Sequence, residues 1–199
     1  MSANKETDMK SKIILIGGAP GCGKVPISKQ IAVALDAAYL NKNNISDYFA
    51  EALLKAHGCD KYDRDSDAYH THVMPLEYNI LINTALQNAE LGNHVVCCAP
   101  FIHYFADKDW LARIDLYAKT LGAELVLLWV QADPQGAKQR LIEKQEGYDH
   151  WKLNNWAKYL DTNPYELPEM SLPVTVINNI EQNNESLQVQ VDHFIKQMQ

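Results

Sequence analysis

A chain of 199 residues reads as one domain over 1–199 with room for a substantial core. Apolar residues make up 47% and charged residues 22%, and the formal charge is −7 with acids and bases intermixed. These values describe an ordinary globular protein, and no Lys/Arg cluster offers a footprint for a nucleic-acid backbone. No stretch approaches the length of a membrane span, and the polar run Met1 to Lys10 lacks the apolar core of a signal peptide. The expected location is therefore cytoplasmic, with 1–11 as a flexible N-terminus. The four cysteines (Cys22, Cys59, Cys97 and Cys98) fit neither a disulfide framework nor a zinc site.

In chain order, Ile13 to Ile16 is a short apolar run ending at Gly17-Gly18, the pattern of a buried strand stopped by a glycine turn. Ile27, Ile31, Ala34 and Leu35 then recur at helical spacing, and Ala38 to Leu40 is a weak second strand. Residues 45–57 read as a helix ended by Gly58, 60–67 as a polar loop, and 75–91 as a long helix stopped by Gly92. Val95 to Cys98 is the next strand, and its adjacent cysteines are expected on opposite faces. Trp110 to Leu121 is helical, Glu124 to Val130 is a strand, and Asp133-Pro134 opens a helix over 134–146. A further helix is expected over 149–160, a last strand over Val174 to Ile177 and a last helix over Leu187 to Met198. Strands alternating with helices imply βαβ units and a parallel sheet covered on both faces.

Gly18-Ala19-Pro20-Gly21-Cys22-Gly23-Lys24 matches G-x-x-x-x-G-K between a strand and a helix, the context that identifies a phosphate-binding P-loop. Its backbone N–H groups and the following helix N-terminus form an anion site, and Lys24 reaches the β- and γ-phosphates. The next residue departs from the pattern. Val25 stands where a Ser or Thr hydroxyl would ligate magnesium, and Pro26 removes one more N–H donor. His70 and His72, two apart, would share a face if extended, but no third ligand completes a metal set.

Together with this loop, Tyr39 to Phe49, Asp63 to Tyr69, Pro75 to Tyr78, Val95 to Phe101 and Arg140 to Tyr159 resemble the small-molecule P-loop kinases. That group includes gluconate, shikimate and chloramphenicol kinases and zeta-toxin-like proteins, often labelled ATP-binding or AAA-family proteins. The resemblance implies the P-loop nucleoside triphosphate hydrolase fold, a three-layer α/β/α sandwich with a parallel sheet of about five strands. It implies ATP as the nucleotide, held by Gly18 to Val25, and an acceptor cleft beyond Asn41, Cys98 and Phe101. It also implies a lid over 134–153 from which Arg140, with Lys24, would stabilise transferred charge.

Against that family pattern, Asn41 and Asn43 stand where an Asp-Lys-Asp run would supply a carboxylate. Cys98 stands where an acid would serve the metal, and Lys144 and Tyr148 where lid arginines are expected. Two functions follow. One is transfer of the ATP γ-phosphoryl to an acceptor hydroxyl; the other is a catalytically impaired nucleotide-binding or sensing protein. Magnesium would then be held by phosphates and water alone, or the loop no longer supports metal-assisted chemistry. Asp47, Asp63, Asp65 and Asp67 are the remaining carboxylates near enough in sequence to serve from a loop.

Overall fold

The computed structural model describes residues 10–180, 183 and 185–199. Its five strands are β1 (Lys12–Gly17), β2 (Ala38–Asn41), β3 (Val95–Cys98), β4 (Glu124–Gln131) and β5 (Val174–Asn178). All pair in parallel, in the order β2-β3-β1-β4-β5. The helices are α1 (Lys24–Ala34), α2 (Lys42–Ala56), α3 (Met74–Glu90), α4 (Ile102–Ala106), α5 (Lys108–Thr120), α6 (Pro134–Lys144), α7 (His150–Asn154), α8 (Trp156–Thr162) and α9 (Leu187–Met198).

Strand alternation divides the core into two layers. Ile13, Leu15, Val95, Cys97, Leu127 and Trp129 pack on one face with α3 and α5; Ile14, Ile16, Val96, Leu128 and Val130 pack on the other with α1 and α9. The result is the expected three-layer α/β/α sandwich. Strands buried on both faces explain why the apolar runs are continuous rather than alternating.

Chain order also fixes where a ligand can enter. The β1–α1–β2 connection leads toward one edge and the β3–α4–α5–β4 connection toward the other. Neighbouring β1 and β3 are therefore the point where the winding reverses. A crevice opens at such a point beyond the carboxyl ends of the strands, which here carry Gly18 and Cys98.

Two local expectations are corrected. Tyr69–Val73 is a π-helical turn leading into α3, so His70 and His72 do not share a strand face: His72 stacks on His57, and His70 meets the ring of His103 edge-on. The helix expected over 149–160 breaks at Asn155, whose backbone (φ −123°, ψ 36°) is not helical, into α7 and α8. The short α4 carries too few residues to show a period. At the N-terminus, residues 1–9 lie outside the described residues, whereas Ser11 is buried and its hydroxyl donates to the Ala89 carbonyl at 3.1 Å. Main-chain pairing of Glu124 with the Ser11 carbonyl fixes it further. Among the described residues no helix is long and apolar enough to cross a membrane.

Leu81 on α3 is fully buried between sheet and helices, whereas Leu116 on α5 is 62% exposed. Leu81→Ala should cost about 2–5 kcal/mol, and Leu116→Ala should stay within about 0.5 kcal/mol. Urea unfolding midpoints of the two variants check the layer assignment, and equal midpoints would contradict it.

Candidate active site

The phosphate loop is held by donors from four separate places in the chain. Lys24 Nζ donates to the carbonyls of Gly18 (2.6 Å) and Ala19 (2.9 Å). The Tyr165 hydroxyl donates to Pro20 O at 2.7 Å, Arg140 Nε to Gly21 O at 2.6 Å, and Asn179 Nδ2 to Cys22 O at 2.9 Å. Every carbonyl from Gly18 to Cys22 thus accepts from a side chain. Carbonyl oxygens would repel a phosphate; with all five engaged, and with the Gly18 and Cys22 N–H groups bonded to the Pro100 and Ala19 carbonyls, the N–H groups of Ala19, Gly21 and Gly23 and of the first turn of α1 remain available to an anion.

Two glycines are required by this packing. Gly21 has φ +77°, and a Cβ there would collide with the Ala137 carbonyl of α6. Gly23 has φ +95°, and its Cβ would meet the Asn179 amide at 2.5 Å. Both close approaches are what allow Arg140 and Asn179 to reach the loop.

The loop lines one end of a cleft of about 420 Å³. Val25 and Pro26 line it as well, and Val25 offers no oxygen. Arg140 Nη2 and the Tyr159 hydroxyl are buried beside the loop without a partner among the described residues. Unsatisfied buried donors are costly, and ligand phosphate oxygens are suited to satisfying the guanidinium fork.

At the carboxyl ends of β2 and β3 lies a neutral hydrogen-bonded group rather than a carboxylate pair. Asn41 pairs in register with Cys98, and Asn41 Nδ2 donates to the Tyr39 hydroxyl at 3.1 Å. Burial pushes the Tyr39 phenol up to about 12 and raises the Cys98 thiol as well, so both stay protonated. Magnesium takes hard oxygen ligands, usually carboxylates. An aliphatic side chain at Val25, a neutral thiol at Cys98 and an amide already engaged at Asn41 do not fit it.

The other end of the cleft is built by α2, the π turn and α3. Lys42, the first residue of α2, places Nζ 2.6 Å from Glu77 Oε2. The Tyr69 hydroxyl bonds the same oxygen at 2.7 Å, and the Ser46 hydroxyl bonds Oε1 at 2.8 Å. Glu77 is fully buried. Burial lowers the Lys42 pKa, and the Glu77 carboxylate opposes that shift. Beyond this pair the wall is formed by Tyr78, Tyr104, Met74, Ile102 and His103.

The acceptor residues expected from sequence divide. Asn41 and Cys98 line the cleft, as does Asn43. Phe101 does not: its ring is fully buried against Phe105 and Tyr78, and its N–H bonds the Tyr78 hydroxyl at 3.1 Å. Its φ of +54° turns the chain after β3 so that Ile102, His103 and Tyr104 face the cleft in its place. Such a conformation costs about 1–3 kcal/mol in a non-glycine residue, and here ring burial and the Tyr78 bond offset it.

In the lid-like segment Arg140 meets the loop, whereas Lys144 and Tyr148 bond each other at 3.0 Å. Of the loop carboxylates, Asp65 lines the cleft and Asp47 pairs with Arg64 at 3.5 Å.

Sequence reasoning missed Tyr165, Asn179, Tyr159 and Glu77. The first three lie outside the motif and act only through the tertiary approach of distant segments. Glu77 sat within the Pro75 to Tyr78 segment, but α3 also carries Asn79, Asn83, Thr84, Gln87, Asn88 and Glu90, so its carboxylate gave no distinct signal.

The fold has counterparts among known proteins. A putative kinase from Chloroflexus aurantiacus J-10-fl superposes with a TM-score of 0.67 at 17% identity, over 96% of this chain and 99% of that one. A gluconokinase from Sinorhizobium meliloti 1021 gives 0.58 at 12% identity, over 96% and 92%. The Mycobacterium tuberculosis APS kinase, solved with AMPPNP and APS, gives 0.58 at 17% identity, over 94% and 96%. At these identities the likeness is one of fold. No curated protein sequence matches the chain. The family model described as an AAA domain matches residues 13–162, which takes in the phosphate loop, all the cleft-forming helices through α8 and four of the five strands; the chain belongs to that AAA-domain family, with a P-loop kinase-like fold.

Proposed function

We propose that this chain binds ATP with its phosphates on Gly18 to Val25 and passes the γ-phosphoryl to a hydroxyl of a small acceptor held between Asn41, Cys98 and Tyr104. The observation that carries the reading is the loop itself: five engaged carbonyls, the N–H groups of Ala19, Gly21 and Gly23 left for an anion, and Arg140 Nη2 and the Tyr159 hydroxyl at its rim without a partner among the described residues. Lys24 would leave its two carbonyls to meet the phosphates. Arg140, already bonded through Nε, would offer its second nitrogen without moving its stem. Kinase folds among the structural neighbours support the reading.

A second reading has its own observation. The Val25, Asn41, Cys98 and Tyr39 group offers no hard anionic ligand, so transfer would proceed without a protein-held metal and would be slow. On that reading the chain is a nucleotide-binding or sensing protein derived from a kinase.

Calorimetric titration with ATP tests the first element of the proposal. Lys24→Ala should weaken binding at least severalfold, and unchanged affinity would remove the phosphate-loop reading. Turnover separates the two functions. The unaltered protein should hydrolyse or transfer far more slowly than about 1 per second, with little change in ATP affinity when magnesium is added. Combining Val25→Ser, Asn41→Asp and Cys98→Asp should create a magnesium requirement and weaken metal-free ATP binding, because two carboxylates then face phosphate. Magnesium-dependent turnover at ordinary kinase rates by the unaltered chain would refute the impaired-metal-site reading.

A further inference from the structure

The two ends of the cleft differ in how their charges are matched. Among the described residues, Lys24 and Arg140 form no ion pair; both bond only uncharged partners of the phosphate loop. At the other end every cation already faces a carboxylate. Lys42 meets Glu77 at 2.6 Å, Arg64 meets Asp47 at 3.5 Å, and Lys144 meets Glu146 at 3.7 Å. Lys152 lies between Asp149 at 3.4 Å and Asp65 at 3.7 Å.

An anionic acceptor entering this half would find no uncompensated cation. To gain Lys42 or Lys152 it would have to displace a carboxylate from a buried pair, leaving that carboxylate unpaired in a desolvated site. It would also face Asp65, which lines the cleft directly. A cationic acceptor would meet the reverse difficulty at Lys42, Arg64 and Lys152.

The uncharged surface is aromatic and aliphatic. Tyr104 packs on Tyr78 with ring centroids 4.0 Å apart, and Met74 and Ile102 complete the wall. Burial pushes the Tyr104 phenol up to about 12, and burial together with nearby His70 lowers the His103 pKa, so both are neutral at pH 7. Asn43 supplies an uncharged hydrogen-bonding group beside the same space.

We infer that the acceptor half of the cleft selects an uncharged, ring-bearing alcohol and excludes carboxylated or phosphorylated ones, an inference that rests on the proposal that ATP occupies the other half. The matched charges act by exclusion, and the wall of Met74, Ile102, Tyr78 and Tyr104 supplies the attraction by apolar and aromatic contact.

An isosteric pair of probes tests this on the intact chain. By ligand-observed NMR titration, 4-(hydroxymethyl)benzamide should bind, and 4-(hydroxymethyl)benzoate should bind at least about tenfold more weakly, since like charges placed together carry a large penalty. Tyr104→Ala, confirmed folded by its thermal melt, should weaken the benzamide severalfold. Equal or tighter binding of the benzoate, binding of neither probe, or an unchanged benzamide affinity in Tyr104→Ala would each overturn the inference. ATP is titrated separately into the same preparation. ATP binding with the benzoate preferred defeats the acceptor inference and leaves the proposed function standing. Benzamide selected but ATP not bound defeats the proposed function, while the neutral pocket stands.

Discussion

The phosphate loop depends on where its carbonyls go. A seven-residue loop that turns N–H groups toward an anion must place its carbonyl oxygens somewhere. Here five consecutive carbonyls are taken by Lys24, Tyr165, Arg140 and Asn179. Those donors come from α1, from α6, from the segment after α8 and from the end of β5. The loop conformation is therefore a property of the assembled domain, and the glycines at 21 and 23 are what let the distant donors come close.

A second buried polar centre organises the opposite wall. Glu77 collects Lys42, Tyr69 and Ser46, and so ties the start of α2 to the π turn and α3. Removing one partner of such a pair leaves a buried charge uncompensated, typically at about 3–5 kcal/mol. The same contact consumes the lysine between Asn41 and Asn43, which would otherwise be a free cation beside the acceptor. The cleft thus keeps its uncompensated positive charge at the end where phosphate is proposed to sit.

Much of the architecture was legible in the sequence because the strands are buried on both faces and read as unbroken apolar runs. Glycines at 18, 58, 92 and 122 marked element ends correctly because each adopts a positive φ that other residues resist. Less legible were segments shaped by contacts: the five-residue α4, the break at Asn155 and the π turn at Tyr69–Val73 carry no periodic signature of their own. Phe101 read as an acceptor contact because it follows the carboxyl end of β3, yet its left-handed backbone sends the ring into the core and brings Tyr104 to the cleft.

By itself the sequence determined a glycine-rich loop, Gly18 to Lys24, between a strand and a helix, since glycine freedom and a lysine at fixed spacing are local chemistry. It also determined that Val25, Asn41, Asn43 and Cys98 bring no carboxylate, because residue identity alone decides what a side chain can ligate. The tertiary structure alone decided which charges are matched and which are left open. Arg140 and Gly21 are 119 residues apart, Lys42 and Glu77 35, and Tyr165 and Pro20 145. Whether a cation is free for a ligand depends on what lies within a few ångströms of it, and separations of that length in the chain are closed only by folding.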